Sequence, residues 1–307
     1  MERPAPRIVA PGAALLLILY LLYWFIGRPE LEQLLRLWPL PAVGVIGAVI
    51  ANTSGTGGGV VFVPVFNALR ELSVLDLSPV QVTAASFGIQ SMGMSMGALR
   101  WTDRLLHQRH YALLPGHAWV ERRDFVKVVS AVLVLSLPAM LATQRLARFD
   151  SHDVLMAYKL FSIVLGTALV ILTWTINRNR PEKARLEPVD LAAIMLLAIP
   201  GGFITAQFSV GIGELVALYL FCRHYPVLLC TGAACVISAV SVLAGLPFHI
   251  AAGNVPWAVV LLAGPGAALG GFLARPVALF LGARRLKTCD GLWIVCSAVY
   301  LLYLGRR

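Results

Sequence analysis

The run Asn52-Thr53-Ser54-Gly55-Thr56-Gly57-Gly58-Gly59, leading into Val60-Val61-Phe62-Val63-Pro64, sets hydroxyl and amide donors among glycines inside an apolar stretch. Glycine costs a helix interior about 1 kcal/mol relative to alanine, so four of them beside polar residues mark an interruption. A half-helix that starts there directs unpaired backbone N–H groups and the positive end of its dipole outward. Such an end binds small oxyanions without needing a buried lysine, and glycine lets the ligand reach the backbone. Thr53, Ser54 and Thr56 can add hydroxyl donors, and Asn52 an amide.

A weaker copy, Gln207-Phe208-Ser209-Val210-Gly211-Ile212-Gly213-Glu214, interrupts a second apolar run. Gln207 and Ser209 supply donors there, Gly211 and Gly213 bare backbone. Glu214 is the odd member. A carboxylate at membrane depth is expensive, and an ionised one would repel an anion beside it. Two roles stand open: a proton carrier that is neutral when substrate is present, or a cap for a helix N-terminus. Two interrupted hydrophobic segments in corresponding halves point to a transporter binding site.

The elements that must hold these residues are membrane helices. The chain has 307 residues, 59% hydrophobic and 13% charged, more apolar surface than a water-soluble protein of this size can bury. Residues 8–26 read as a retained helix that follows Arg3 and Arg7. Further apolar runs cover 38–69 and 189–221, both broken, and 79–99, 126–143, 154–174, 226–246, 255–281 and 291–304. A straight helix over 38–69 would be ~45 Å, too long for one crossing, and each half at ~15–20 Å is too short for its own. A re-entrant hairpin fits both broken runs.

The net charge of +10 is confined to short connections, which marks orientation and excludes a nucleic-acid surface. With the N-terminus cytoplasmic and 38–69 a hairpin, three basic connections fall on the inside. They hold Arg100, Arg104, Arg109, Arg122, Arg123 and Lys127; then Arg178, Arg180, Lys183 and Arg185; then Arg284, Arg285 and Lys287. The uncharged connection 247–254 falls outside. The two hairpins then enter from opposite sides, which predicts an all-α polytopic membrane protein of two inverted repeats. Each repeat has a re-entrant helical hairpin plus three transmembrane helices, with one extra N-terminal transmembrane helix. The divisions expected are 1–37 for the extra helix, 38–188 for the first repeat and 189–307 for the second. Gly55-Thr56-Gly57 aligns with Gly211-Ile212-Gly213, and Pro79-Val80 with Pro226-Val227.

Each hairpin is followed by a helix with a small, polar stripe: Thr83, Ser86, Gln90, Gly93 and Gly97, then Thr231, Ala234, Ser238, Ser241 and Gly245. Helix packing explains such stripes; Thr83, Ser86, Gln90 and Thr231 are also site candidates because they fall near the hairpin tips. Gly266, Gly270 and Ala274 are packing residues. Arg145, Arg275 and Lys159 are expected to snorkel to the interface. The five cysteines form no CxxC and read as buried small residues, and His107, His110 and His117 share a connection without ligand spacing, so neither metal nor cofactor is expected. No histidine or carboxylate pair falls inside the apolar runs, which argues against an intramembrane enzyme.

At these residues the chain resembles the sulfite exporter TauE/SafE family of bacterial membrane permeases. The resemblance rests on Ser54-Gly55-Thr56-Gly57-Gly58-Gly59-Val60-Val61-Phe62-Val63-Pro64, on Gly253-Asn254-Val255-Pro256-Trp257 and on Pro265-Gly266-Ala267-Ala268-Leu269-Gly270-Gly271. It extends from about Leu40 to the C-terminus. It implies transport of sulfite and organosulfonates across the bacterial inner membrane. The second copy departs from the family's glycine pattern, with Glu214 opposite Gly58 and no proline following.

The function expected is a secondary transporter of a small oxyanion by alternating access, with proton coupling through Glu214. An anion channel and a non-transporting assembly partner are the alternatives. Expected partners are a small-molecule anion and the lipid bilayer, with no nucleic acid; a homodimer is left open.

Overall fold

The computed structural model describes residues 8–108, 119–146, 151–175, 182–183 and 185–304. Arg3, Arg7, Arg109, His110, His117, Arg178, Arg180, Arg306 and Arg307 lie outside the described residues. Every regular element among the described residues is a helix. In chain order they are α1 (Val9–Gly27), α2 (Leu31–Arg36), α3 (Leu40–Ser54), α4 (Gly59–Glu71), α5 (Pro79–Leu106) and α6 (Arg122–Leu146). There follow α7 (Ser151–Trp174), α8 (Pro188–Phe208), α9 (Ile212–Cys222), α10 (Val227–Ala251) and α11 (Trp257–Leu304).

Five segments among the described residues are long and apolar enough to cross a membrane: α1, α6, α8, α10 and Trp257–Ala278 of α11. Leu15, Ile18 and Phe25 of α1, Val134 of α6 and Leu196 of α8 point outward. Large apolar side chains arrayed on the outside of so many helices need lipid as their solvent. The chain is a multi-pass membrane protein. α5, at 28 residues, has the length to cross but carries the polar stripe.

Both interruptions fall where the glycines place them, between α3 and α4 and between α8 and α9. The length argument holds for α3, α4 and α9 but not for α8, whose 21 residues span ~31 Å on their own. Four segments outrun their apolar runs, because Arg and Lys are good helix formers and hydropathy does not mark a helix end. α5 carries Arg100 and Arg104; the Arg100 guanidinium sits 4.2 Å from the Phe272 ring centroid, and Arg104 is buried. α6 takes in Arg122, Arg123 and Lys127. α10 continues through Pro247 to Ala251, so most of the expected connection 247–254 is helical. α11 runs unbroken through Arg284, Arg285 and Lys287, where a connection was expected.

Small residues set the helix spacing. A side chain at Gly266 or Gly270 of α11 would meet the Pro41 or Val45 carbonyl of α3, and one at Gly271 the Gly93 carbonyl of α5. This is the packing role expected of them. Farther along α11, Gly291 fits against Gly166 and Val170 of α7, and Trp174 Nε1 donates to Thr288 Oγ1 at 3.0 Å. Gly202 of α8 lies on the Ser136 carbonyl of α6. Buried apolar residues from α5, α6, α8, α9 and α10 form one cluster, and those from α3, α4, α5 and α11 another. The interrupted segments are thus enclosed by protein, as freed backbone groups inside a bilayer require.

Of the five cysteines, all free, Cys230 and Cys235 are buried as expected, whereas Cys289 and Cys296 are exposed on α11 and Cys222 is half-buried. Lys159 also departs from expectation. It is buried on α7, with the Arg70–Glu71 pair as the charges around it. Arg145 is exposed at the end of α6.

Candidate functional site

The first break opens where Gly55 leaves α3 in the left-handed conformation (φ 79°), its N–H still bonded to Ala51 O. Gly57 is also left-handed (φ 73°), which side chains avoid, and Gly58 caps α4. The second break repeats the device. Ser209 leaves α8 at φ 57° with its N–H on Thr205 O, and Gly211 caps α9. By backbone role, Ser209 answers Gly55 and Gly211 answers Gly58. That register differs from the Gly55–Gly211 alignment read off the sequence, because a polar residue, not glycine, takes the first left-handed position.

The breaks touch. A side chain on Gly59 would collide with the Ser209 carbonyl, and one on Gly57 with Glu214 Oε1. Gln90, on the fourth turn of α5, joins them through one amide. Its Oε1 accepts the Gly58 N–H at 2.8 Å, and its Nε2 donates to Ser209 Oγ at 2.7 Å and Ser209 O at 3.1 Å. Ser86, one turn earlier, takes the same Nε2 at 2.9 Å. All three side chains are buried. Thr83 Oγ1 reaches Gln207 O at 3.3 Å, and Thr231 Oγ1 of α10 reaches Ser54 O at 3.4 Å.

Ser54, Thr56 and Glu214 converge on a cleft of about 10 Å³, walled by Leu165 and Leu169 of α7 and Ala217, Leu218 and Phe221 of α9. Ser54 Oγ and Thr56 Oγ1 lie 2.8 Å apart there. Glu214 Oε2 accepts the Gly211 N–H at 2.7 Å, so the carboxylate does cap α9. Thr205 completes that cap, its Oγ1 accepting the Ile212 N–H at 3.0 Å. On the α4 side the first-turn N–H groups of Gly59 and Val60 have no intrahelical acceptor.

Not every candidate faces the cleft. Asn52 Nδ2 donates to Ala48 O at 2.8 Å and Gly93 O at 3.3 Å, and its Oδ1 fills the space beside Gly97. Its carbonyl accepts Trp101 Nε1 at 3.0 Å. Asn52 therefore holds α3 to α5. Thr53 bonds back to Ile50 O at 2.8 Å, and Gly213 makes room for Ser238 Oγ. Sequence reasoning missed Leu165, Leu169 and Thr205. Nothing in their type or spacing distinguishes them from the other apolar and hydroxyl residues of their helices. It also missed His249, which lies beyond the apolar run 226–246 but inside α10, a candidate span that extends to Ala251.

The ends of the second broken segment are tied by charge. Asp190, fully buried in the first turn of α8, accepts from Tyr219 OH at 2.8 Å, Tyr225 OH at 2.6 Å, Lys183 Nζ at 3.1 Å and Arg223 Nε. Arg223 caps the far end of α9, so α8 begins where α9 finishes. Burial, and then its bond to Asp190, push the Tyr225 hydroxyl well above the usual tyrosine range, so it stays a donor. The first broken segment has apolar closure instead. Leu37 and Leu40 at its start share a cluster with Leu69, Leu75 and Leu77 at its end.

A family model described as sulfite exporter TauE/SafE matches residues 40–301. The chain belongs to this family of membrane transporters of sulfur anions, and α1 and α2 precede the matched region. Comparison with curated proteins and with solved structures gives no match.

Proposed function

We propose that this member of the TauE/SafE family is a secondary transporter of a small oxyanion, sulfite or an organosulfonate, bound between its two helix breaks. The observation that carries the reading is Gln90, whose single amide holds the N-terminus of α4 against the residue that ends α8. An anion entering there can take over the Gly58 N–H and the hydroxyls of Ser54, Thr56 and Ser209. The cleft holds about 10 Å³, roughly one water and far less than an oxyanion. Loading it requires the breaks to part, which suits alternating access better than an open channel.

The two broken segments are re-entrant hairpins in repeats spanning 38–188 and 189–307, inverted with respect to one another. The bond between Asp190 and Arg223 supports this for the second, since it brings both ends of α8–α9 together despite the length of α8. The positive-inside rule supports a cytoplasmic N-terminus in a bacterial inner membrane. Glu214 carries a proton. An ionised carboxylate ~4 Å from a bound anion costs about 4 kcal/mol at an effective dielectric of 20, so the loaded state favours the neutral acid. Transport is thereby coupled to the proton gradient.

The test is flux of sulfite and of several sulfonates in proteoliposomes, with and without a pH gradient. Saturable flux that responds to the gradient is expected. Non-saturating flux would make the protein a channel, and none at all would leave it an assembly partner.

A further inference from the structure

Ser238, Ser241, Gly245 and His249 follow one another at spacings of three and four, so they share a face of α10. The lower end of this line lies at Glu214. A side chain on Gly57 would meet both Glu214 Oε1 and, at 3.6 Å, Ser238 Oγ. The upper end is ~16 Å away, at 1.5 Å per residue. There Gln144 of α6 reaches across, its Nε2 3.4 Å from Gly245 O and 3.5 Å from His249 Nε2. The Phe87 ring of α5 closes over the imidazole at 5.0 Å.

Ser241 Oγ, Gln144 Oε1 and His249 Nδ1 are buried and have no protein partner. Buried polar groups in native proteins are almost always hydrogen-bonded, to ordered water where protein supplies nothing. One such group is unremarkable. Three lie along a single line among Phe87, Met140, Val242 and Leu246, and bridging water would satisfy all of them.

We propose that Ser238, Ser241 and His249 of α10, with Gln144 of α6, form a water-bridged proton path between Glu214 and the end of α10 remote from Asp190. The path rests on the transport reading above and supplies the proton that reading needs. A proton is taken up as an N–H bond on the His249 imidazole and passed to water held by Gln144 Oε1. It crosses the Ser241 and Ser238 hydroxyls by exchange of O–H bonds and neutralises the Glu214 carboxylate. No electrons are transferred. The neighbours do not compete for it. Against His249 lie Phe87, Phe248 and Gln144; Arg145 is exposed, and the Tyr23 hydroxyl of α1 is engaged by Ser91 at 2.7 Å. Around Glu214, α7 presents Leu165 and Leu169, with Lys159 six residues nearer its start, and the first break presents Ser54 and Thr56.

The test uses the full chain in proteoliposomes with methanesulfonate, whose charge does not change with pH in the working range. Gradient-driven uptake is compared with exchange at equal pH, for the wild type, His249→Gln and Ser241→Ala. The wild type should respond to an inward proton gradient roughly fivefold or more, and both variants should lose most of that response while exchange stays within about twofold. Ser241→Ala removes a single oxygen, so it reports even if His249→Gln does not fold. A wild-type gradient response in both variants overturns the path, as does equal loss of exchange and gradient-driven uptake. Wild-type flux indifferent to pH overturns the path and leaves anion transport standing. No wild-type flux of methanesulfonate or sulfite overturns the transport reading and the path together.

Discussion

The two breaks use the same backbone trick and differ in who completes it. The second caps itself: Thr205 and Glu214, its own residues, take the N–H groups of Ile212 and Gly211, and Asp190 ties its ends with four donors. The first borrows. Its Gly58 N–H is held by Gln90 from another helix, and the residues at its two ends share an apolar cluster. A donor held by a side chain from another helix is freed when that helix moves; donors held by residues three and seven positions away in the same broken segment move with their partners. Under the proposed function, the first break is the half expected to exchange partners with the anion, and the second the frame it closes against.

The largest effect should come from cutting the frame. Asp190→Ala leaves Arg223, Lys183 and two tyrosines facing an empty acceptor and should cost about 3 kcal/mol, read as a lowered unfolding temperature in detergent. An unchanged temperature would mean that the ends of α8 and α9 are held by something else. Gln90→Leu strands the buried Gly58 N–H and should cost about 2 kcal/mol, with flux in proteoliposomes falling roughly tenfold or more. Thr205→Val keeps the shape but strands the Ile212 N–H, for about 1 kcal/mol and less than about threefold in flux. If Thr205→Val harmed transport as much as Gln90→Leu, the division between frame and mobile half would fail. Glu214→Gln keeps an oxygen for the Gly211 cap, so stability should change by less than about 1 kcal/mol while flux loses its response to a pH gradient.

Much of this was legible in the sequence, and the reasons differ by residue. Glycines clustered with hydroxyl and amide residues inside an apolar run mark breaks, so α3 ends at Gly55 and α9 starts at Gly211, as those clusters announce. Gln90 was visible as a polar member of a helical stripe, but not as the link between breaks, because its partners lie 32 and 119 residues away. Asn52 reads identically to the true cleft residues; only its turn toward Gly93 and Gly97 shows that it packs. His249 was lost because Pro247 looks like a helix end, whereas α10 carries the proline in its interior. Arg284, Arg285 and Lys287 suggested a connection by charge, and charge does not stop a helix.

The central claim is that the anion sits between the breaks and takes its hydrogen bonds from Ser54 and Thr56. Calorimetric titration of sulfite into the purified protein tests it directly, comparing the wild type with the Ser54→Ala, Thr56→Val double variant at one pH. Loss of two hydrogen bonds of about 1 kcal/mol each predicts affinity weakened roughly thirtyfold. Sulfite binding the double variant as tightly as the wild type would contradict the account and place the anion elsewhere.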